Sequence, residues 1–141
     1  MSAVFVDTAV IMYAAGRDHP LRASCTEVMR RVGVGSIEGV ISTEVIQEIL
    51  HRYSARGEPD RARSIARDAI DVFTPLLPVT HSIAMRACDL HERYRVRARD
   101  LFHVATCLEE GIDTIVSPDA HFDEIREIRR LDPADAAAPT R

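Results

Sequence analysis

Three short β-prone runs, Ala3–Val6, Val40–Ile41 and Thr114–Val116, each stop at a turn or a helix start, and the stretches between them have helical spacing. Apolar runs of this length suit parallel strands covered on both faces, which need no alternation of polar and apolar residues. The first run ends at Asp7-Thr8, the second at Ser42-Thr43 and the third at Ser117-Pro118-Asp119. Between the first two, His19-Pro20 opens an amphipathic stretch with Leu21, Cys25, Val28, Met29 and Val32 at helical spacing, closed near Gly33 to Gly35.

The middle of the chain reads as helical. Val45, Ile46, Ile49, Leu50 and Tyr53 predict a helix that runs to Gly57, and Pro59 opens another carrying Ala62, Ile65, Ala66, Ala69 and Ile70. Pro75 and Pro78 interrupt Phe73 to Val79, so any strand there is short and lies at an edge, where missing amide donors cost least. A helix follows from Thr80, and another from Asp100 with Leu101, Val104, Ala105 and Leu108 on one face, closed by Gly111. Phe122, Ile125, Ile128 and Leu131 predict a short helix and a last edge strand. Alternation of this kind predicts an α/β domain, a three-layer α/β/α sandwich with a mainly parallel central sheet. That domain covers residues 1–132 and leaves 133–141 as a mobile tail.

A chain of 141 residues with 46% hydrophobic content supports one buried core rather than two. Its net charge is -4, from 18 basic and 22 acidic residues, which excludes binding to nucleic acid by bulk electrostatics. Any such contact is local. The three cysteines, Cys25, Cys88 and Cys107, are odd in number, lack metal-finger spacing, and read as buried thiols of a reducing compartment. No basic leader precedes the first apolar run and no stretch has the length of a membrane span, so the expectation is a cytoplasmic protein with no membrane contact.

In a parallel sheet the carboxyl ends of the strands open into one crevice. Asp7, Glu44, Asp100 and Asp119 all fall at such ends or at helix starts, so the fold predicts that they converge. Singly, each has an ordinary explanation as a cap, a turn residue or a partner of a helix dipole. Together in one cleft they would repel one another unless a cation compensated them. Magnesium or manganese suits such oxygen donors, and the chemistry that follows is metal-dependent hydrolysis of a phosphodiester. Asp7, Asp100 and Asp119 are the expected ligands. Thr8, Ser117, Glu48 and Asp123 are candidates for supporting roles, Asp123 as a rival to Asp119. Arg17, Arg95, Arg97 and Arg99 are candidates for contacts to nucleic-acid phosphates flanking the metal site, with Tyr94 available to stack a base. The spacings Glu48/His51 and Asp100/His103 match those of di-metal helix bundles, but the strand signals contradict four long core helices.

The segments Val4-Phe5-Val6-Asp7-Thr8, Ile41-Ser42-Thr43-Glu44-Val45, Arg99-Asp100-Leu101-Phe102-His103 and Ser117-Pro118-Asp119-Ala120-His121-Phe122-Asp123 resemble the motifs of a PIN domain, and most nearly those of VapC-type toxins. The resemblance runs over nearly the whole chain. It implies a Mg²⁺- or Mn²⁺-dependent endoribonuclease of a toxin–antitoxin pair acting on transfer or ribosomal RNA, with Asp7, Glu44, Asp100 and Asp119 as its acids. It also implies a homodimer and a cognate VapB-type antitoxin. Ala9 stands where many relatives carry a small polar residue, and this supports the alternative of a catalytically weak or inactive module that binds RNA or antitoxin through the same fold.

Overall fold

The computed structural model describes residues 2–139. Strand β1 (Val4–Val6) leads into α1 (Thr8–Ala15) and α2 (Arg22–Gly33), then β2 (Gly39–Val40), α3 (Thr43–Ala55) and α4 (Pro59–Val72). Next come α5 (His81–Arg93), α6 (Ala98–Glu109), β3 (Thr114–Val116), a 3₁₀ turn at Ala120–Glu124, β4 (Arg129–Leu131) and α7 (Pro133–Ala136).

The sheet order is β2-β1-β3-β4 and every pairing is parallel, with Phe5 opposite Val40 on one side and Ile115 on the other. All three residues of β3 are buried, so helices cover both faces of the sheet, as the apolar runs predict. Phe5, Val6, Ile41, Ile49, Leu101, Ile115 and Phe122 lie in one continuous core. Gly57 and Gly111, at φ of +77° and +70°, follow the ends of α3 and α6, taking the left-handed conformation that lets a chain leave a helix sharply.

Two segments differ from the sequence reading. The strand expected within Phe73 to Val79 shrinks to a single parallel bridge between Leu77 and Ser42, because Pro75 and Pro78 flank it and donate no amide. Pro133–Ala136, within the segment read as a tail, forms α7 and packs on α2, where the Arg31 guanidinium donates to the Ala138 carbonyl at 2.9 Å. Residues 140 and 141 of that segment lie outside the described residues. Cys25 and Cys107 are buried, whereas Cys88 sits on the exposed face of α5. Among the described residues, no helix is long and apolar enough to cross a membrane.

At Gly39 the sheet and its helical cover leave no room for a side chain. A Cβ there would stand 2.8 Å from Val32 Cγ2 and 3.1 Å from Phe73 Cε1. Gly39→Ala is therefore expected to cost about 1–3 kcal/mol through overpacking. The denaturant midpoint measures it, and an unchanged midpoint would show that Val32 and Phe73 give way freely.

Candidate metal centre

The carboxyl end of the sheet fixes the first acid. The Asp7 amide donates to the Val116 carbonyl at 3.0 Å, so the β1–β3 ladder runs right up to this residue, and Ser117 Oγ donates to Asp7 Oδ2 at 2.7 Å. Asp7 is the backbone cap of α1, but its side chain makes no capping hydrogen bond. Its carboxylate faces inward instead.

Helix α6 begins at Ala98, two residues before the sequence reading starts it, which puts Asp100 inside the first turn rather than at the cap. His103 is one turn further on, and at that spacing two side chains share a helix face. Its ring is fully buried and packs on Phe5 with centroids 5.3 Å apart. His103 Nε2 lies 3.2 Å from Glu48 Oε1 and 3.9 Å from Asp7 Oδ1. Asp7, Asp100 and His103 each offer a ligand atom within 4.8 Å of the others.

From α3 it is Glu48, buried to 5% exposure, that reaches this cluster. Glu44 lies one helical turn earlier, about 5.4 Å along the axis. It is partly exposed, and its carboxylate has no hydrogen bond or ion pair among the described residues. The acid that the sequence reading placed in the site is thus outside it, and the one it placed in a supporting role is at the centre. Arg52 and Arg99 flank Glu48 at 3.4 and 3.5 Å.

Asp119 stands at the rim, 24% exposed, with its Oδ1 2.9 Å from the His121 amide and 2.7 Å from His121 Nδ1. Its own amide donates to Ser117 Oγ at 3.0 Å, so one hydroxyl fixes both Asp7 and Asp119. Arg97 spans Asp100 at 3.5 Å and Asp119 at 3.4 Å. Asp123 points elsewhere, paired through both oxygens with Arg130 at 2.9 and 3.2 Å. Arg95 is exposed and pairs with none of these acids, while Arg17 faces a groove beside them. Tyr94 is not available for stacking: its hydroxyl donates to Glu127 and accepts the Arg126 amide, and Arg93 covers its ring.

Burial shapes the charges. Removal from water pushes Asp7 up from its ordinary 3.8 to about 6, against the pull of His103 and Ser117. Asp100 is raised for the same reason, opposed by His103 and Arg97. For Glu48 burial works upward too, but the His103 hydrogen bond and charge, with the charge of Arg99, outweigh it and hold the carboxyl at about 2. Burial works downward on His103, and Glu48, Asp7 and Asp100 together reverse it, so the site favours an imidazolium that acts as an internal counter-charge.

His103 Nδ1 and the Thr8 hydroxyl are buried without a hydrogen-bond partner, and Asp100 Oδ2 has none beyond the long Arg97 ion pair at 3.5 Å. Each such group costs of the order of 1–3 kcal/mol if left so. A divalent cation fits this donor set: clustered carboxylates are what hard cations prefer, and an ion there would satisfy Asp100 and relieve the strain on Asp7.

The cation-free protein should respond to pH accordingly. Asp7, with its folded value raised, contributes stability that is full below 3.8 and lost as pH rises through about 6; Asp100 and His103 act in the same direction. Glu48 contributes stability that is present above 4.5 and lost as pH falls towards about 2. In EDTA the thermal midpoint should therefore peak between about 3.8 and 4.5 and fall through pH 6 and on towards pH 8. A midpoint that is flat or rises over that upper range would contradict the charge assignments.

His103 is the main residue that the sequence reading missed. The Asp100/His103 spacing is visible in the sequence, but on its own it matches a di-metal helix bundle as well as this centre.

The PIN domain model matches residues 4–128. The chain is 37% identical over 113 residues to Ribonuclease VapC23 of Mycobacterium tuberculosis, covering 79% of this chain and 89% of that protein. It is 30% identical over 129 residues to Ribonuclease VapC13 of the same organism, covering 91% and 98%. Among solved structures, the DNA-bound VapBC of Salmonella typhimurium shares its fold with a TM-score of 0.73 at 15% identity, over 94% of this chain and 99% of that one. VapBC2 of Rickettsia felis, bound to a DNA fragment from its promoter, matches with a TM-score of 0.73 at 15% identity, over 93% and 98%. With strand-end acids, an all-parallel sheet and this kinship over most of its length, the chain belongs to the PIN-domain family, beside the VapC proteins.

Proposed function

We propose that the protein is an endoribonuclease toxin of a VapBC-type pair, which hydrolyses RNA phosphodiester bonds with Mg²⁺ or Mn²⁺ held by Asp7 and Asp100, and with Glu48 and Asp119 completing the acidic ring. The observation that carries this reading is the convergence of buried Asp7, Glu48, Asp100 and His103 from the end of β1, α3 and α6, with Asp100 Oδ2 lacking a hydrogen bond and meeting only the Arg97 guanidinium at 3.5 Å. The names of the relatives support the ribonuclease chemistry, and the VapBC complexes support a VapB-type antitoxin as partner. The same reading gives a homodimer, a cytoplasmic location and transfer or ribosomal RNA as substrate.

When bound, the cation supplies charge neutralisation and Lewis acidity towards a phosphoryl oxygen. The protein supplies the rest. Ser117 holds Asp7 in orientation through Oδ2, and His103 holds Glu48 against the inner wall. Asp119, the more exposed acid, is placed to take a proton from an attacking water. The water oxygen bonds to phosphorus while the bond to the leaving ribose oxygen breaks, and solvent protonates that oxygen. Arg97, which pairs with both Asp100 and Asp119, would offer its guanidinium to the substrate phosphate.

The test is incubation of antitoxin-free protein with total cellular RNA in Mg²⁺, in Mn²⁺ and in EDTA. Discrete fragments with metal and none in EDTA are expected. RNA left intact by both metals would point to the non-catalytic module, and cutting in EDTA would remove the metal from the chemistry.

A further inference from the structure

A groove of about 860 Å³ opens beside the acidic cluster, with Arg97 and Asp119 at its inner end. Its walls come from α1, the α1–α2 connection, the C-terminal half of α3 and the turn into α4. Five arginines face three acids along it, in a chain whose net charge is -4. Fold maintenance accounts for some of them. Arg61, for instance, ties α4 to the Ala15 carbonyl at 2.6 Å. It does not account for Arg17 and Arg56, both exposed and neither within ion-pair distance of a carboxylate among the described residues. Arg56 lies instead with its guanidinium 5.4 Å from the centre of the Tyr53 ring. Across the groove, the rings of Tyr13 and His19 pack with centroids 4.7 Å apart and planes tilted by 34°. The Leu21 amide donates to His19 Nδ1 at 3.1 Å and fixes that ring.

Unpaired guanidinium groups and a pre-set aromatic pair thus line a groove that reaches the rim of the acidic cluster at Asp119 and at Arg97, whose guanidinium pairs with Asp100. We infer that this groove binds one or two unpaired nucleotides of the RNA strand next to the scissile phosphate, with Arg17 and Arg56 on phosphates and the Tyr13–His19 pair as platform for a base. This rests on the ribonuclease reading above for the direction of the strand, which enters the centre past Arg97 and Asp119. Arginine forks match phosphate oxygens, and aromatic faces stack any base that is not already paired. A duplex keeps its bases stacked on one another and offers this groove only its backbone, so the site selects loops and single-stranded segments. A protein segment is the competing occupant, and the excess of arginine along the walls favours the polyanion.

The experiment uses the Asp7→Asn protein, which keeps the groove and is expected not to cut, titrated into a fluorescent unstructured RNA oligomer and into the same sequence as a duplex. Arg17→Gln with Arg56→Gln, and separately Tyr13→Ala, are added on that background, with thermal melting to confirm folding. The single strand should bind at least about fivefold more tightly than the duplex. The double arginine change should weaken single-strand binding about tenfold and lower the slope of log K against log salt by about 1.4, as expected for two lost phosphate contacts. Tyr13→Ala should weaken binding severalfold and leave the slope unchanged. Equal affinity in all variants, or a preference for duplex, would overturn the assignment, as would variants that keep RNA affinity but lose a co-purifying protein partner. Cleavage by the groove variants made in the parental protein, with Asp7 unchanged, separates the two ideas. Parental cutting with unchanged kcat/KM in the arginine variant would defeat the groove and leave the ribonuclease intact. A parent that cuts nothing, in a groove whose variants still lose RNA affinity, would do the reverse.

Discussion

Asp7→Asn is expected to abolish RNA cleavage, by at least about 10²-fold in kcat/KM, and at the same time to make the metal-free protein more stable. The two effects share one cause. Asp7 sits at the end of β1 with 5% exposure, facing Glu48, Asp100 and His103, and burial raises its carboxyl from 3.8 to about 6. At neutral pH that gap corresponds to roughly 3 kcal/mol of stability forgone in order to keep the group ionised. Asparagine removes the charge and can still accept the Ser117 hydroxyl, although it gives up the attraction of His103. The net gain should be on the order of 1–3 kcal/mol, read as a rise of several degrees in the melting temperature in EDTA. Metal should then stabilise the parent and leave the variant almost unmoved. A variant that loses activity because it is unfolded would melt earlier, not later, so calorimetry distinguishes the two cases.

Glu48→Gln and Glu44→Gln make the second decisive pair. Both remove one carboxylate from α3, four residues apart, yet only Glu48 touches His103 and the arginines around the cluster. Glu48→Gln should lower cleavage by about 10²-fold, the scale of losing a group that orients or completes a metal site. It should also leave His103 with less reason to stay protonated, because its nearest anionic partner is gone. Glu44→Gln should stay within about threefold of the parent, as for a partly exposed acid with no ion pair among the described residues. Kinetics on both variants with one RNA substrate settle the comparison, and the reverse ranking would return Glu44 to the site.

That pair also shows where the sequence was readable. The parallel sheet was legible because Ala3–Val6 and Thr114–Val116 are too short and too apolar to be anything but covered strands, and Asp7 and Ser117 follow from strand ends with no freedom of placement. Helix α3 was legible as a helix, but the turn that reaches the cluster was not. Glu44 and Glu48 lie on the same face, and the choice between them depends on how far α3 slides along α6, a packing distance that no local pattern encodes. Asp119 and Asp123 posed the same problem, decided by Arg130, which lies in β4 and claims Asp123. His103 was hidden because an imidazole on an apolar helix face reads as core; its meaning came only when Glu48 and Asp7 arrived from elsewhere. Tyr94 failed in the opposite way. Exposed by pattern, it is used up by Glu127 and Arg126 from a distant stretch of chain.

The most direct test of the central claim is the binding of Mn²⁺ to the purified, antitoxin-free protein, followed by electron paramagnetic resonance or calorimetry, beside Asp7→Asn, Glu48→Gln and Glu44→Gln. The cluster predicts saturable binding in the parent and in Glu44→Gln, with affinity at least about tenfold weaker in Asp7→Asn and Glu48→Gln. No saturable binding in the parent, or equal binding in all four proteins, would contradict it.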